Sequence, residues 1–568
     1  MRNKLVVACS VGNCVHVAGG IHFLDLAANE GYDTLFLGPA VAVADLLRQI
    51  DPLQPEMVAV GYRLTPENVE PILDALIEGA ASLHCRPRWV FGGTRPVVER
   101  AAARGFFEKV FFGDEDLDES IAFLRGQDLA GHSGPAEDRL MARLAQKQPY
   151  PLLRHHFGLP SFAATEEGIG RIARSGVLDV ISLGPDQNTQ QFFFHPAQRN
   201  PAMEGAGGVP LHTEADFRRL KAASQQGNYP LMRCYSGTDD VFAFAQLLCD
   251  TINNAWCAVP LCWYNELDGR GTRRLEFSIV QAQQLMHWHA VRGIPVEVNE
   301  PHHWGLRDAH DVISVVMAYL AAYHAKRAGV RDYVAQYMFN VPGSMGFAMD
   351  LAKALAMRDL VESLADSSFV PLREVRAGLP FLSSDLMAAK GQLAASTYSA
   401  MALSPQIIHV VGYSEAEHAA DPDVVIESCR IVRGVVRSIL YGAADPTGDP
   451  ILCRRRARLV EEARFLLDFI CSSYSALSED PLGDARVLAD CIRRGILDAP
   501  HILKNERFHG ILETRMVAGS CLAWDRREKR PLSEAERLER LAAAGNLAHL
   551  GEAGSLSPQA AVSKEVRA

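Results

Sequence analysis

No stretch of this chain stays apolar for the ~18 residues that a membrane span requires, and no membrane partner is expected. Its twelve cysteines are scattered, with no CxxC pair and no tight framework. That spacing suits reduced thiols in a cytoplasmic protein better than structural disulfides, and it argues against radical chemistry begun by an iron–sulfur cluster. Basic residues form no stripe interleaved with aromatics, and the net charge is -11, so nucleic acid has nothing to dock on. The basic start of the chain leads into an apolar run that ends at Ser10 and reads as a first strand rather than a signal peptide.

What is present is a large globular composition, 48% hydrophobic and 22% charged over 568 residues, which is too long for one core and implies two or more domains. From Met1 to residue 127 five short apolar runs, Leu5–Ala8, Thr34–Leu37, Met57–Val60, Trp89–Phe91 and Val110–Phe112, alternate with helical patterns. Such βα alternation predicts an α/β domain with a parallel sheet whose ligands sit beyond the C-terminal strand ends. Residues 128–151, rich in Gly, Pro and charge, read as a linker.

Over 152–480 the alternation resumes, with strands expected at Val177–Leu183, Pro230–Tyr235, Ala258–Trp263, Pro295–Asn299, Tyr333–Met338 and Ile407–Val411. About 300 residues of this pattern suit a closed (β/α)8 TIM-like barrel, although an open sheet has the same signature. A helical extension is expected over 481–538 and a loose, disordered tail over 539–568.

The loop after the first strand carries Asn13, Cys14, Val15, His16 and Gly19. A neutral imidazole on such a loop is a good ligand for a late first-row metal, and equally a helix-capping histidine. The loops after the third and fourth strands bring Tyr62 and Leu64, then Gly92, Gly93 and Thr94, with Gly113 after the fifth. Glycines there allow backbone to approach a bulky ligand closely.

Together these loops resemble the cobalamin-binding domain family, whose pattern is DxHxxG, SxL and GG on a flavodoxin-like (Rossmann-type) fold. His16 to Gly19 supply HxxG, Leu64 closes the SxL position and Gly92-Gly93 supply GG. The resemblance implies that His16 is the metal ligand, replacing the cofactor's own benzimidazole below cobalt, and that the nucleotide tail enters a slot between the loops. Cys14 stands where the family has the aspartate that holds the imidazole, and Tyr62 where it has serine. A thiol is a weak partner for imidazole, and a tyrosine fills space the tail needs.

The second block resembles the catalytic subunit of glutamate mutase (methylaspartate mutase). The resemblance is carried in order by Pro230–Asp239, Trp263-Tyr264-Asn265 with Leu275–Ser278, Gly293–Pro301, Tyr413–Ala416 and Gly495–Pro500. Arg233, Tyr264, Asn265 and Glu300 follow apolar runs, where barrel strands deliver side chains to the open face. Arg233 suits a carboxylate, and Glu300 or Glu415 an amine or ribose hydroxyls. The adjacent His302 and His303 point different ways and make a poor metal site, and His287 to His289 fall on a helix surface.

The family's carboxylate-gripping arginines are missing from Gly184–Gln191, its glutamate falls near Ala258, and the lysine beside its adenosyl group falls near Val411. Glutamate is thus not the expected substrate, because buried carboxylates need charge-assisted partners. The sequence points to a cobalamin-dependent isomerase, a mutase acting on a small amino or carboxylic acid through adenosylcobalamin. Corrinoid methyl transfer with methylcobalamin, or a non-catalytic cobalamin sensor, remain open. Other expected partners are the small-molecule substrate and a second copy of the chain.

Overall fold

In a computed structural model, the described residues are 4–126 and 137–550, except positions 114, 116, 236, 238, 239, 379, 380, 441, 505–507, 509–511 and 549. The first part of the expected linker, 128–136, and the tail from 551 onward lie outside them, and the remainder of that linker holds helix Leu140–Lys147. The chain divides into two compact units, Met1–Gly134 and Pro135–Ala568.

The first unit holds β1 (Leu5–Ser10), β2 (Asp33–Phe36), β3 (Met57–Tyr62), β4 (Arg88–Gly93) and β5 (Lys109–Phe111). All pairings are parallel, in the order β2-β1-β3-β4-β5. The central strands are apolar at nearly every position because both faces are covered. Val7, Cys9, Val58, Val60 and Phe91 join one core, and Val6, Ala8, Met57, Ala59 and Val90 join the other. Strand order reverses between β1 and β3, and a doubly wound sheet has its ligand crevice at that point.

The second unit is built on an eight-stranded parallel sheet: β6 (Leu152–Phe157), β7 (Val180–Leu183), β8 (Leu231–Arg233), β9 (Cys257–Ala258), β10 (Val296–Glu297), β11 (Asp332–Phe339), β12 (Val370–Ala377) and β13 (Ile407–His409). Strands adjacent in sequence pair, except β8 with β9, and β13 pairs back onto β6. A single parallel bridge, Tyr235 to Ala258, joins the remaining edges, so the sheet is a nearly closed barrel.

Two of its strands, β6 and β12, are absent from the sequence-predicted set. The expected strand Ala258–Trp263 ends at Ala258, after which the chain turns into a loop. The C-terminal region also differs from an all-helical extension. Helix Ala485–Arg493 is followed by a three-stranded antiparallel sheet, Thr514–Val517, Ser520–Asp525 and Arg530–Pro531, and then by helix Glu534–Ala543. Short strands with mixed polarity, such as TRMV, carry too little period-2 contrast to be read in advance.

The barrel interior is layered with the two-residue period of its strands. Leu152, Val180, Leu231, Val334, Leu372 and Ile407 form an apolar bottom layer with Trp256, plugged by Leu140 and Leu144 of helix Leu140–Lys147. Each fully buried leucine there contributes roughly 1.5–3 kcal/mol. Two residues further along the same strands stand Arg154, Ser182, Arg233, Gln336, Glu374 and His409, joined by Glu297. Two further still, at the C-terminal mouth, come His156, Tyr235 and Arg376.

Candidate functional site

At the crevice of the first unit, Gly12 takes φ +70°, turning the chain out of β1. Cys14 is fully buried, and its Sγ accepts the Arg63 backbone N–H at 3.3 Å. The same sulfur lies 3.6 Å from His16 Nδ1, and the Ser10 hydroxyl donates to the His16 carbonyl at 2.6 Å. The imidazole is thereby held from behind, on a loop where His16 is exposed and Val15 is 63% exposed. A Cβ on Gly19 would meet nothing within 4 Å, so that flank is open.

Tyr62 is 0% exposed, packs in the core, and donates its hydroxyl to Asn13 Oδ1 at 3.2 Å. Leu64 packs against the same core, while Thr94 precedes helix Arg95–Ala103 and Gly113 is exposed at φ +84°. The two glycines ending β4 are unlike. A Cβ on Gly93 would stand 2.2 Å from the Tyr62 carbonyl oxygen, whereas one on Gly92 would make ordinary contacts at 3.9 Å. An exposed imidazole with its Nδ1 engaged, its other ring nitrogen free among the described residues and an open flank beside it is suited to serve as a metal ligand. Tyr62 occupies the space between the β3 and β1 loops, so a nucleotide tail placed there would have to displace it.

In the barrel, the middle layer is a buried ion network centred on Glu297. Glu297 accepts from Arg154 and Arg233 at 2.9 Å each, from Trp256 Nε1 at 2.5 Å and from Gln336 at 3.1 Å. Gln336 also donates to Glu374 at 2.6 Å, and Arg154 donates to His409 Nδ1 at 2.8 Å. Burial would raise the Glu297 carboxyl, but Arg154 and Arg233 overcome it and hold the group below the usual carboxylate range. Burial and the charge of Glu297 push Glu374 the other way, above that range.

Arg233 is therefore at the barrel's centre rather than at its mouth: it is 0% exposed, and the carboxylate it grips is the chain's own. Glu300 is likewise committed, accepting the backbone N–H groups of Leu261 and Cys262 at 2.7 and 2.9 Å and Trp304 Nε1 at 3.1 Å. Asn265 shapes the same loop, donating to the Cys262 carbonyl and accepting from Leu267 N–H. These residues brace the mouth.

Tyr264 lines the mouth itself. Its φ of +65° is a strained conformation for an aromatic residue, of the kind that collects at functional sites. The Arg270 guanidinium lies 4.8 Å from its ring centre, the His303 ring meets it edge-on at 5.7 Å, and burial pushes its hydroxyl up to about 12. His302 and His303 do not diverge; their rings stack at 4.2 Å. His156 Nε2 lies 2.8 Å from the Tyr235 hydroxyl. Burial, with the neighbouring arginines assisting, holds His156, His302, His303 and His409 well below the usual histidine range, hence neutral. Glu415 is exposed at the rim; burial raises its carboxyl and Arg376 pulls it down.

No His, Cys, Asp or Glu group among the described residues has the form of a three-ligand metal site, and all twelve cysteines are free. His287 is exposed, but His289 is buried with Nδ1 2.8 Å from the Leu285 carbonyl, so that motif is half core. Sequence reasoning missed Arg154, His156, Glu297, Glu374, Arg376 and His409. The available signal was charge at two-residue spacing inside LLRHHF and VPLREVRA, which places like-facing polar side chains on one side of a strand.

No family model and no curated protein matches this chain. Among solved structures it is similar to the apo cobalamin-dependent S-adenosylmethionine radical enzyme OxsB, at 10% identity and TM-score 0.17 over 88% of this chain and 77% of that one. The same enzyme with aqua-cobalamin bound gives 11% and 0.20, over 88% and 78%. At such TM-scores the superpositions share too little geometry to bear on fold or chemistry. Among the described residues, no helix is long and apolar enough to cross a membrane.

Proposed function

We propose that this chain is a cobalamin-dependent enzyme that isomerises the carbon skeleton of a small amino or carboxylic acid other than glutamate. The observation that carries the reading is His16: an exposed imidazole, backed by Cys14 Sγ at 3.6 Å, on the loop after β1 beside the switch point of a β2-β1-β3-β4-β5 sheet. Asn13, Cys14 and Val15 shape that loop, and Gly19, Tyr62, Leu64, Gly92, Gly93, Thr94 and Gly113 bound the crevice. Bound there, adenosylcobalamin would supply a weak cobalt–carbon bond whose homolysis begins radical rearrangement.

The chain's own residues do the rest. His16 would ligate the cobalt through the ring nitrogen not turned to Cys14. In the barrel, Glu297 with Arg154 and Arg233 fixes the floor of the mouth, and Glu300 and Asn265 fix the loop that carries Tyr264. The stacked histidines, Tyr235 and Tyr264 offer neutral surfaces that exclude water from a reacting substrate. Glu415 at the rim suits a substrate ammonium.

Titration of the full chain with aqua-cobalamin, followed by absorption spectra, tests the reading. Binding is expected, and His16→Ala should shift the cobalt bands; an unchanged spectrum removes His16 as the ligand, and no binding removes the cofactor. Stable uptake of methylcobalamin with refusal of adenosylcobalamin would favour methyl transfer.

A further inference from the structure

Among the described residues, one guanidinium at the mouth makes no ion pair. Arg376 stands two residues beyond Glu374 on β12, on the inward-facing register. Its Nε is sealed from solvent and has no hydrogen-bond partner. Among the described residues no carboxylate lies within ion-pair distance of it, although Arg154 and Arg233 one layer below share Glu297. Arg270 and Arg307 share Asp268, at 3.7 and 3.6 Å, and cover Tyr264 and Trp263. The groups around Arg376 are neutral histidines and Tyr235, with Glu415 at the rim and Arg154, Glu374 and Glu297 in the layer below, where Glu297 is already held by Arg154 and Arg233.

A guanidinium keeps its proton in proteins, so burial without an anion is costly and is relieved by one that arrives with a ligand. A carboxylate offers two oxygens to the guanidinium fork. Arg270 and Arg307 are already held on Asp268, and a second substrate carboxylate would face Glu415 or Asp268. We propose that Arg376 anchors the substrate through one carboxylate, and that the substrate carries no second anionic group. This rests on the reading of the barrel as the catalytic unit and sharpens its substrate class to monocarboxylates, with the remainder neutral or cationic.

Calorimetric titration of the full chain, without cobalamin and at neutral pH, with butyrate, succinate, butylamine and inorganic phosphate tests it. Butyrate should bind, succinate and phosphate about 10-fold or more weaker, and butylamine not at all. Arg376→Gln should weaken butyrate by about 10–100-fold, and Arg376→Lys, which keeps charge but loses the fork, by less. Circular dichroism melts establish that each variant is folded. If Arg376→Gln does not fold, a weakening by Arg376→Lys supports the proposal and unchanged affinity overturns it. Equal or tighter binding of succinate or phosphate overturns it, as does butyrate affinity unaffected in a folded Arg376→Gln, or no heat with butyrate up to roughly 100 mM, weaker than any specific site. Failure here leaves the cobalamin titration untouched, and failure of that titration leaves Arg376 untouched.

Discussion

Glu297→Gln is expected to cost about 3–5 kcal/mol of stability, or to prevent folding of the barrel, because it strands two buried guanidiniums around an uncharged amide. Glu374→Gln, in the same layer, is expected to leave stability within about 1 kcal/mol of wild type at neutral pH, since about one ordinary hydrogen bond is at stake. The asymmetry follows from the opposite displacement of the two carboxyls. Gln imitates the protonated form toward which burial and Glu297 push Glu374, and it deletes the charge that Glu297 keeps.

The pH dependence carries matching signs. Glu297 titrates below its unfolded value, so its contribution is present above the ordinary carboxylate pKa of about 4.3 and is lost as pH falls through the lowered folded value. Glu374 titrates above its unfolded value, so its contribution is present below about 4.3 and is lost as pH rises through the raised folded value. Urea midpoints of wild type and Glu374→Gln across that upper window should therefore converge toward acid, with the variant losing less as pH rises. A Glu374→Gln penalty as large as that of Glu297→Gln would refute this division of charge.

Gly93→Ala should destabilise the first unit by about 1–3 kcal/mol, while Gly92→Ala should stay within about 0.5 kcal/mol. Gly93 is the register partner of Tyr62, and its added methyl would sit 2.2 Å from that residue's carbonyl oxygen, against backbone that cannot rotate away. At Gly92 the nearest atoms, on Phe111, stand at 3.9 Å. Hydrogen exchange of β3 and β4 amides reads the effect locally. Equal tolerance at both positions would mean that these strands can part freely. Because Tyr62 lines the crevice, Gly93→Ala should also weaken aqua-cobalamin uptake where Gly92→Ala does not.

The alternation of apolar runs with helical patterns in the first 127 residues was legible because strands covered on both faces must be apolar almost throughout, as in LVVACS of β1. In the barrel the same signal failed where the interior is ionic. LLRHHF of β6 and VPLREVRA of β12 place Arg154, His156, Glu374 and Arg376 on the inward face, so neither segment forms an apolar run. Tyr264 was visible as a mouth residue because it follows an apolar run. Arg233 and Glu300 have the same local signature, yet their partners, Glu297 and the Leu261–Cys262 backbone, lie 38 to 64 positions away in the chain.

By itself, then, the sequence determined the parallel α/β character of the chain and the loops on which His16 and Tyr264 stand, since both follow from local period and strand ends. Only the tertiary structure decided which charges meet. Arg154 and Arg233 share Glu297 because barrel closure brings three distant strands together, and Arg376 is left outside any ion pair among the described residues for the same reason. Ion pairing depends on separations of a few ångströms between strands, and no spacing along the chain encodes them.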